Sequence, residues 1–228
     1  ELGMRFSDPG ADGPTIQRAA QVALERGTRL ADVLGLVGDL RREGFGAPVL
    51  LLAYANTLLA GGLLADPMPL VQHGFDGLIV PDLPSVESAS FEARCRRVGL
   101  HWIPLLAPTS RPEHIEAVAS QSGGFIYCVS VTGVTGARET LPPSTVELLR
   151  RVRAQARRPV AVGFGVAGPE QARQLAAFAD GVIVGSALVE RLAVAESACA
   201  EGRLGHEEEQ AIGAAVSFVR ALREALDD

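Results

Sequence analysis

Short, continuous apolar runs alternate with amphipathic stretches along most of the chain. PVLLLAY (48–54), GLIVPD (77–82), HWIPLLA (101–107), GFIYCVS (124–130), PVAVGF (159–164) and GVIVGS (181–186) are each bounded by Gly, Pro or Asp. That is the pattern of strands covered on both faces. The intervening segments 14–26, 31–43, 86–98, 111–120, 143–154 and 169–178 have helical periodicity, and 206–226 reads as a closing helix. SVES (85–88), TSRPEH (109–114) and AGPEQ (167–171) combine small residues, Pro and an acid, as helix starts do. Strand–helix alternation of this kind predicts right-handed βαβ units and a parallel sheet.

An internal echo sharpens the architecture. GFDGLIV (74–80) is matched by FADGVIV (178–184), and Gly77 and Gly181 lie about four βα units apart. The expected fold class is an α/β (β/α)8 TIM barrel, with residues 1–228 as a single domain. A doubly wound open sheet competes, but the first visible strand-to-helix turn, residues 3–14, carries no GxGxxG. Six runs plus the stub Glu1-Leu2-Gly3 fall short of eight strands. The first strand, its helix and most of the second strand are therefore expected upstream of Glu1, leaving the barrel N-terminally incomplete. In 61–74, Pro67 and Pro69 confine the expected helix to a short one starting near Pro67.

Composition narrows the function. With 47% hydrophobic and 21% charged residues, a substantial core is expected. No apolar run approaches a membrane span, and no secretory or transit signal is visible. Net charge is −6 with dispersed basic residues, which argues against nucleic acid. Cys95, Cys128 and Cys199 have no disulfide or zinc spacing, which suits buried thiols in a reducing compartment, and the four histidines form no metal-ligand pair. All 21 basic residues are Arg. Without Lys the chain forms no Schiff base, so carbon–carbon chemistry must run on acid–base groups.

Chemistry is expected at the C-terminal ends of the strands. Glu1 sits in the N-terminal stub, with Asp8 and Asp12 in the loop that follows. SDPG and ADGP are also good turn sequences, and by themselves favour the turn reading. Three Gly-rich strand ends form a second candidate: SVTGVTGAR (130–138), VGFGVAGPE (162–170) and VGSALVE (184–190). Their backbone N–H groups, and a short helix starting after Gly185-Ser186, suit a phosphate.

FSDPGADGPTIQ, LLAPTS, FIYCVSVTGVTGAR, PVAVGFGVAGPEQA and ADGVIVGSALVE, in this order, resemble the signature segments of the tryptophan synthase alpha chain family. The resemblance runs from Glu1 to the C-terminus and lacks about fifty residues of the barrel plan at the start. It implies a retro-aldol lyase that cleaves indole-3-glycerol phosphate to indole and glyceraldehyde 3-phosphate, with Glu1 and Asp12 as catalytic carboxylates and no metal. It further implies that Tyr127, Tyr54, Leu52, Ile79, Leu105 and Phe164 surround the substrate. Gly136, Gly165, Gly185 and Ser186 then bind phosphate, and Thr135 latches the 130–142 loop onto Asp12. No cofactor is implied in this chain, since pyridoxal phosphate belongs to a beta chain partner in an α2β2 heterotetramer in the cytoplasm. Arg5 stands where the family usually has Pro, and Gly10 where it has a larger apolar residue; both bear on partner coupling.

Other readings are a stand-alone indole-glycerol phosphate lyase, a non-catalytic truncated subunit that only activates a beta chain, and another phosphate-binding barrel of amino-acid biosynthesis. The last leaves FSDPGADGP unexplained.

Overall fold

Every predicted strand forms, shortened at its ends, and a computed structural model describes residues 1–83, 85–121, 123–129, 142–163, 165–200 and 206–227. The chain starts with β1 (Leu2–Gly3), α1 (Pro14–Glu25), α2 (Leu30–Arg42), β2 (Leu50–Leu52), α3 (Ala55–Ala60) and α4 (Met68–Gln72). It continues with β3 (Gly77–Ile79), α5 (Ser85–Arg97), β4 (His101–Trp102), β5 (Leu105–Leu106), α6 (Pro112–Gln121) and β6 (Ile126–Val129). α7 (Pro143–Arg153), β7 (Val160–Gly163), α8 (Pro169–Ala176), β8 (Gly181–Ile183), α9 (Ser186–Ala200) and α10 (His206–Asp227) complete it.

All pairings are parallel, in the order β1-β2-β3-β4 and β5-β6-β7-β8. The run 101–107, expected as one strand, is split at Ile103 and Pro104. Ile103 N–H still donates to Leu78 O at 3.0 Å, and Pro104 O still accepts from Tyr127 N–H at 3.0 Å. Proline has no N–H of its own to carry the ladder across, so one sheet ends there and the next begins.

The sequence echo does the same job twice. Asp76 Oδ2 accepts Val49 N–H at 2.7 Å while Asp76 N–H donates to Val49 O at 2.9 Å. Asp180 makes the identical pair with Val160, both at 2.8 Å. Each Asp thus fixes the start of the neighbouring strand, and each meets an Arg from the helix before that strand: Arg41 at 2.6 Å and Arg153 at 3.6 Å. Gly77, after the first Asp, is sterically required: a Cβ there would lie 2.6 Å from Leu50 Cδ2 and 2.9 Å from His101 O. At Gly181 the nearest atom to such a Cβ is at an ordinary 3.8 Å.

The two Arg partners differ in weight. Arg41 also donates to the carbonyls of Phe45 (2.6 Å), Ala47 (2.8 Å) and Gly74 (2.9 Å), tying α2 to two strand starts. Arg41→Ala is expected to lower unfolding free energy by about 2 kcal/mol. Arg153→Ala, which loses a half-exposed pair, should stay within about 1 kcal/mol. Urea midpoints of the two variants check this, and equal losses would refute the ranking.

Pro67 caps α4 and Pro69 occupies its first turn, where backbone N–H groups have no intrahelical partner anyway, so both prolines are tolerated. α3 had no start signal in the sequence. Its first N–H, at Ala55, is capped by Asp82 Oδ1 (2.8 Å) from beyond the next strand. α9 was foreseen as a short helix and runs to fifteen residues.

Outward strand residues pack under the helices in two clusters. One joins Leu51, Leu78, Val80 and Trp102 to Val37, Leu58 and Phe91; the other joins Leu106, Cys128, Val162 and Val160 to Ile115, Leu148, Leu175 and Phe218. Each fully buried side chain of Leu or Ile size contributes about 1.5–3 kcal/mol. Cys95 and Cys128 are buried, free thiols, and burial pushes both up to about 12. Among the described residues no helix is long and apolar enough to cross a membrane.

Candidate active site

The acid loop leaves β1 at its C-terminal end and is built from two successive turns. Gly10 N–H donates to Asp8 O at 2.8 Å, and Asp12 N–H to Pro9 O at 3.1 Å. Asp8 is an exposed turn residue that accepts from Ser7 Oγ at 2.5 Å, as SDPG suggested. Asp12 serves its turn but does more. Tyr54, almost fully buried, uses one hydroxyl twice: it donates to Asp12 Oδ2 and accepts from Ala11 N–H, both at 3.0 Å. The Tyr54 ring stacks on Phe6 at 4.9 Å between centroids, and Gln17 Nε2 holds the Asp12 carbonyl at 2.9 Å. The loop is therefore clamped on both sides of Asp12.

Burial pushes the Asp12 carboxyl up, and the Tyr54 hydrogen bond partly offsets this. Glu1 is exposed as a residue, yet burial desolvates its carboxyl and pushes it up, with the Asp12 charge adding to the rise. Burial also raises the Tyr127 hydroxyl, and the charges of Glu1 and Asp12 raise it further. Tyr54 thus touches Asp12, and Glu1 and Tyr127 both lie near enough to feel the Asp12 charge. Burial pushes Tyr54 up to about 12, so it stays a proton donor at neutral pH.

Leu52 pairs in register with Ile79, and Leu105 with Tyr127, which sets the apolar side chains of the expected pocket on neighbouring strands. Gly163 was not singled out from the sequence, although it opens the Gly-x-Gly of strand 159–164. A Cβ there would lie 2.6 Å from the Tyr127 hydroxyl, so glycine is what lets that ring lie across β7. Tyr54, expected only to enclose the substrate, proves to be the clamp on Asp12; it had no signal, because Asp12 is 42 residues away in sequence. Gln17, only five residues after Asp12, was not singled out either, because nothing in the sequence says that its side chain turns back to the Asp12 carbonyl.

The Gly-rich ends meet by register. Val129 lies opposite Gly163, and Gly163 opposite Ile183, so the segments after β6, β7 and β8 leave at one height. Gly165 takes a left-handed φ of +57°, which glycine accepts freely. Gly185 O accepts from Leu188 N–H at 2.9 Å and Val189 N–H at 3.0 Å, closing the first turn of α9 behind Ser186. Thr15 Oγ1 donates to Glu190 Oε1 at 2.8 Å, tying α1, and so the acid loop, to α9. Thr135, Gly136 and Phe164, with the 130–141 part of the expected closing loop, lie outside the described residues. Of the departures, Arg5 Nε donates to Thr28 O, and a Cβ at Gly10 would meet nothing. Among the described residues no group of three His, Cys, Asp or Glu could hold a metal ion.

The family model described as tryptophan synthase alpha chain matches residues 1–219. The chain belongs to this family. It is 44% identical to the tryptophan synthase alpha chain of Geobacillus kaustophilus, over 97% of this chain and 81% of the relative. Identity to the Synechococcus elongatus alpha chain is also 44%, over 100% and 80%. Among solved structures, the a2b2 complex of Pyrococcus furiosus matches with a TM-score of 0.86 and 34% identity, over 98% of this chain and 85% of that one. The alpha subunit of Legionella pneumophila matches with 0.84 and 33%, over 99% and 80%. The fold is that family's (β/α)8 barrel. As an alpha subunit of tryptophan synthase the chain is a lyase of tryptophan biosynthesis that cleaves indole-3-glycerol phosphate to indole and glyceraldehyde 3-phosphate, and pyridoxal phosphate belongs to the beta chain.

The clamp has a kinetic consequence. Tyr54→Phe removes a hydrogen bond that lowers the Asp12 pKa. The acid limb of the pH–rate profile should therefore move to higher pH, with kcat down about tenfold and KM changed less. A profile superimposable on wild type would show that Tyr54 only packs.

Proposed function

We propose that Glu1 and Asp12 carry the cleavage as a divided acid–base pair. The observation supporting this is that two desolvated carboxyls at one barrel mouth both bear on Tyr127. The bond to be broken joins indole C3 to the first glycerol carbon, and indole leaves only after C3 is protonated. Glu1, its pKa raised, delivers that proton. Protonation at C3 makes the ring nitrogen cationic, and the Asp12 carboxylate beside the ring N–H stabilises the charge as it develops. Glu1, now a carboxylate, takes the proton of the first glycerol hydroxyl. Its C–O becomes the aldehyde, the C–C electrons return to the ring, and indole and glyceraldehyde 3-phosphate part with Glu1 protonated again.

Leu52, Ile79, Leu105 and Phe164 enclose the ring, and Tyr127 lines the reacting side chain. Backbone amides at Gly136, Gly165, Gly185 and Ser186 receive the phosphate, with Thr135 closing the loop onto Asp12. The chain acts in the cytoplasm, docked on a beta chain as in the a2b2 complex from Pyrococcus furiosus. The test is size-exclusion chromatography with a tryptophan synthase beta chain, followed by assay of indole release. A stable heteromer with faster release is expected; co-elution without release would leave a binding subunit, and release without co-elution a stand-alone lyase.

A further inference from the structure

Three consecutive residues in the first turn of α1 each hold a different part of the site. Thr15 Oγ1 donates to Glu190 Oε1 on α9 at 2.8 Å. Ile16 Cδ1 lies over the backbone of Gly185, 3.9 Å from where a Cβ would stand. Gln17 Nε2 turns back to the Asp12 carbonyl at 2.9 Å. Only Gly13 and Pro14 separate Asp12 from Thr15. Proline fixes its own φ, so a displacement of Thr15 reaches the acid loop with little slack.

Neither helix in this contact is placed by the core. No side chain of α1 is buried, and Gly13 offers its first N–H groups no side-chain cap. In α9, Ser186 to Arg191 are all half-buried or exposed. Helices in proteins owe their placement mainly to packing of a buried face. Where that face is missing, single side-chain contacts carry more of the positioning. α9 has one such contact to α10, where the Arg191 guanidinium lies over the Phe218 ring at 3.6 Å. Glu190, the residue before it, supplies the other, to α1. Thr15 and Glu190 therefore join the helix that begins at Ser186 to the loop that carries Asp12.

We propose that Thr15 and Glu190 are positioning residues for cleavage, whose hydrogen bond sets the acid loop against α9 so that Asp12 is in place when phosphate is seated at Gly185 and Ser186. Both act through Asp12 and neither touches substrate. The inference rests on the cleavage reading. Because the bond selects the productive arrangement, its worth appears in kcat. Thr15→Val, which keeps the shape and removes the hydroxyl, should lower kcat about three- to tenfold, and Glu190→Ala should do the same. Affinity for a glycerol phosphate analogue, read by isothermal titration, should stay within about twofold, since the backbone donors of α9 are untouched. The double variant should lose no more than either single one, because each removes the same bond. Thr15→Ser keeps the donor and Glu190→Gln keeps an acceptor, so both should restore kcat. Unchanged kcat in Thr15→Val, or losses that add in the double variant, would overturn the link. So would kcat and analogue affinity falling together, since that is a general loosening of α9. The Thr15→Val and Thr15→Ser pair decides this even if Glu190→Ala fails to fold. Asp12→Asn separates the two readings: wild-type turnover there removes the cleavage reading and this link with it. An inactive Asp12→Asn beside an unaltered Thr15→Val refutes the link alone.

Discussion

Asp12→Asn is expected to reduce indole release about 10²–10³-fold, the usual cost of losing one transition-state charge partner. The amide keeps the shape of the carboxylate and can still accept from Tyr54, but it cannot offset a cationic indole ring. The variant should meanwhile be at least as stable as wild type at neutral pH. The Asp12 pKa is raised in the folded state, chiefly by burial. Its favourable contribution is thus complete below the unfolded value near 3.8 and is lost as pH rises through the folded pKa. At neutral pH the wild type carries a buried charge that asparagine removes. The stability difference should fade as pH falls toward that unfolded value, while wild-type turnover falls over the same window because Asp12 must be ionised. Thermal melts across pH, with single-turnover indole release, check both halves. Near wild-type turnover in Asp12→Asn would remove Asp12 from the mechanism.

Ser186→Asp is expected to weaken a glycerol phosphate analogue by at least about 100-fold, since like charges about 4 Å apart cost several kcal/mol at a protein surface. Ser186 opens α9, and the first N–H groups of a helix have no intrahelical partner. They are available to a dianion until a carboxylate is placed among them. An acid in the first turn favours the helix itself, so the loss is not explained by unfolding. Ser186→Ala, which keeps the backbone donors, should change affinity only a few-fold. Isothermal titration of the three proteins settles it, and unchanged affinity in Ser186→Asp would move the phosphate site elsewhere.

Much of this architecture is local and was readable in one dimension. Continuous apolar runs ended by Gly, Pro or Asp become parallel strands because both faces must be covered. Pro14, Pro143 and Pro169 open helices because the first helical N–H groups need no partner. Pro67 and Pro69 shortened α4 as anticipated, for the same reason.

The echo GFDGLIV and FADGVIV was visible as a repeat, but its purpose was not. Only in three dimensions does each Asp reach back to Val49 or Val160, because strand starts far apart in sequence become neighbours in a sheet. The turn chemistry of Asp8 and Asp12 looked alike in the sequence, since both sit beside Pro and Gly. What separates them is burial and the Tyr54 hydroxyl, neither of which is a local property. The seam at Pro104 is intermediate: the missing N–H is written in the residue, but which neighbour loses a bond depends on register. The sequence by itself determined the barrel class, the element order and, through motif resemblance, the family. The tertiary structure decided which acid is clamped and why Gly163 must be glycine beneath Tyr127. Those depend on distances between strands, and a chain read in order contains neighbours in sequence but not neighbours in space.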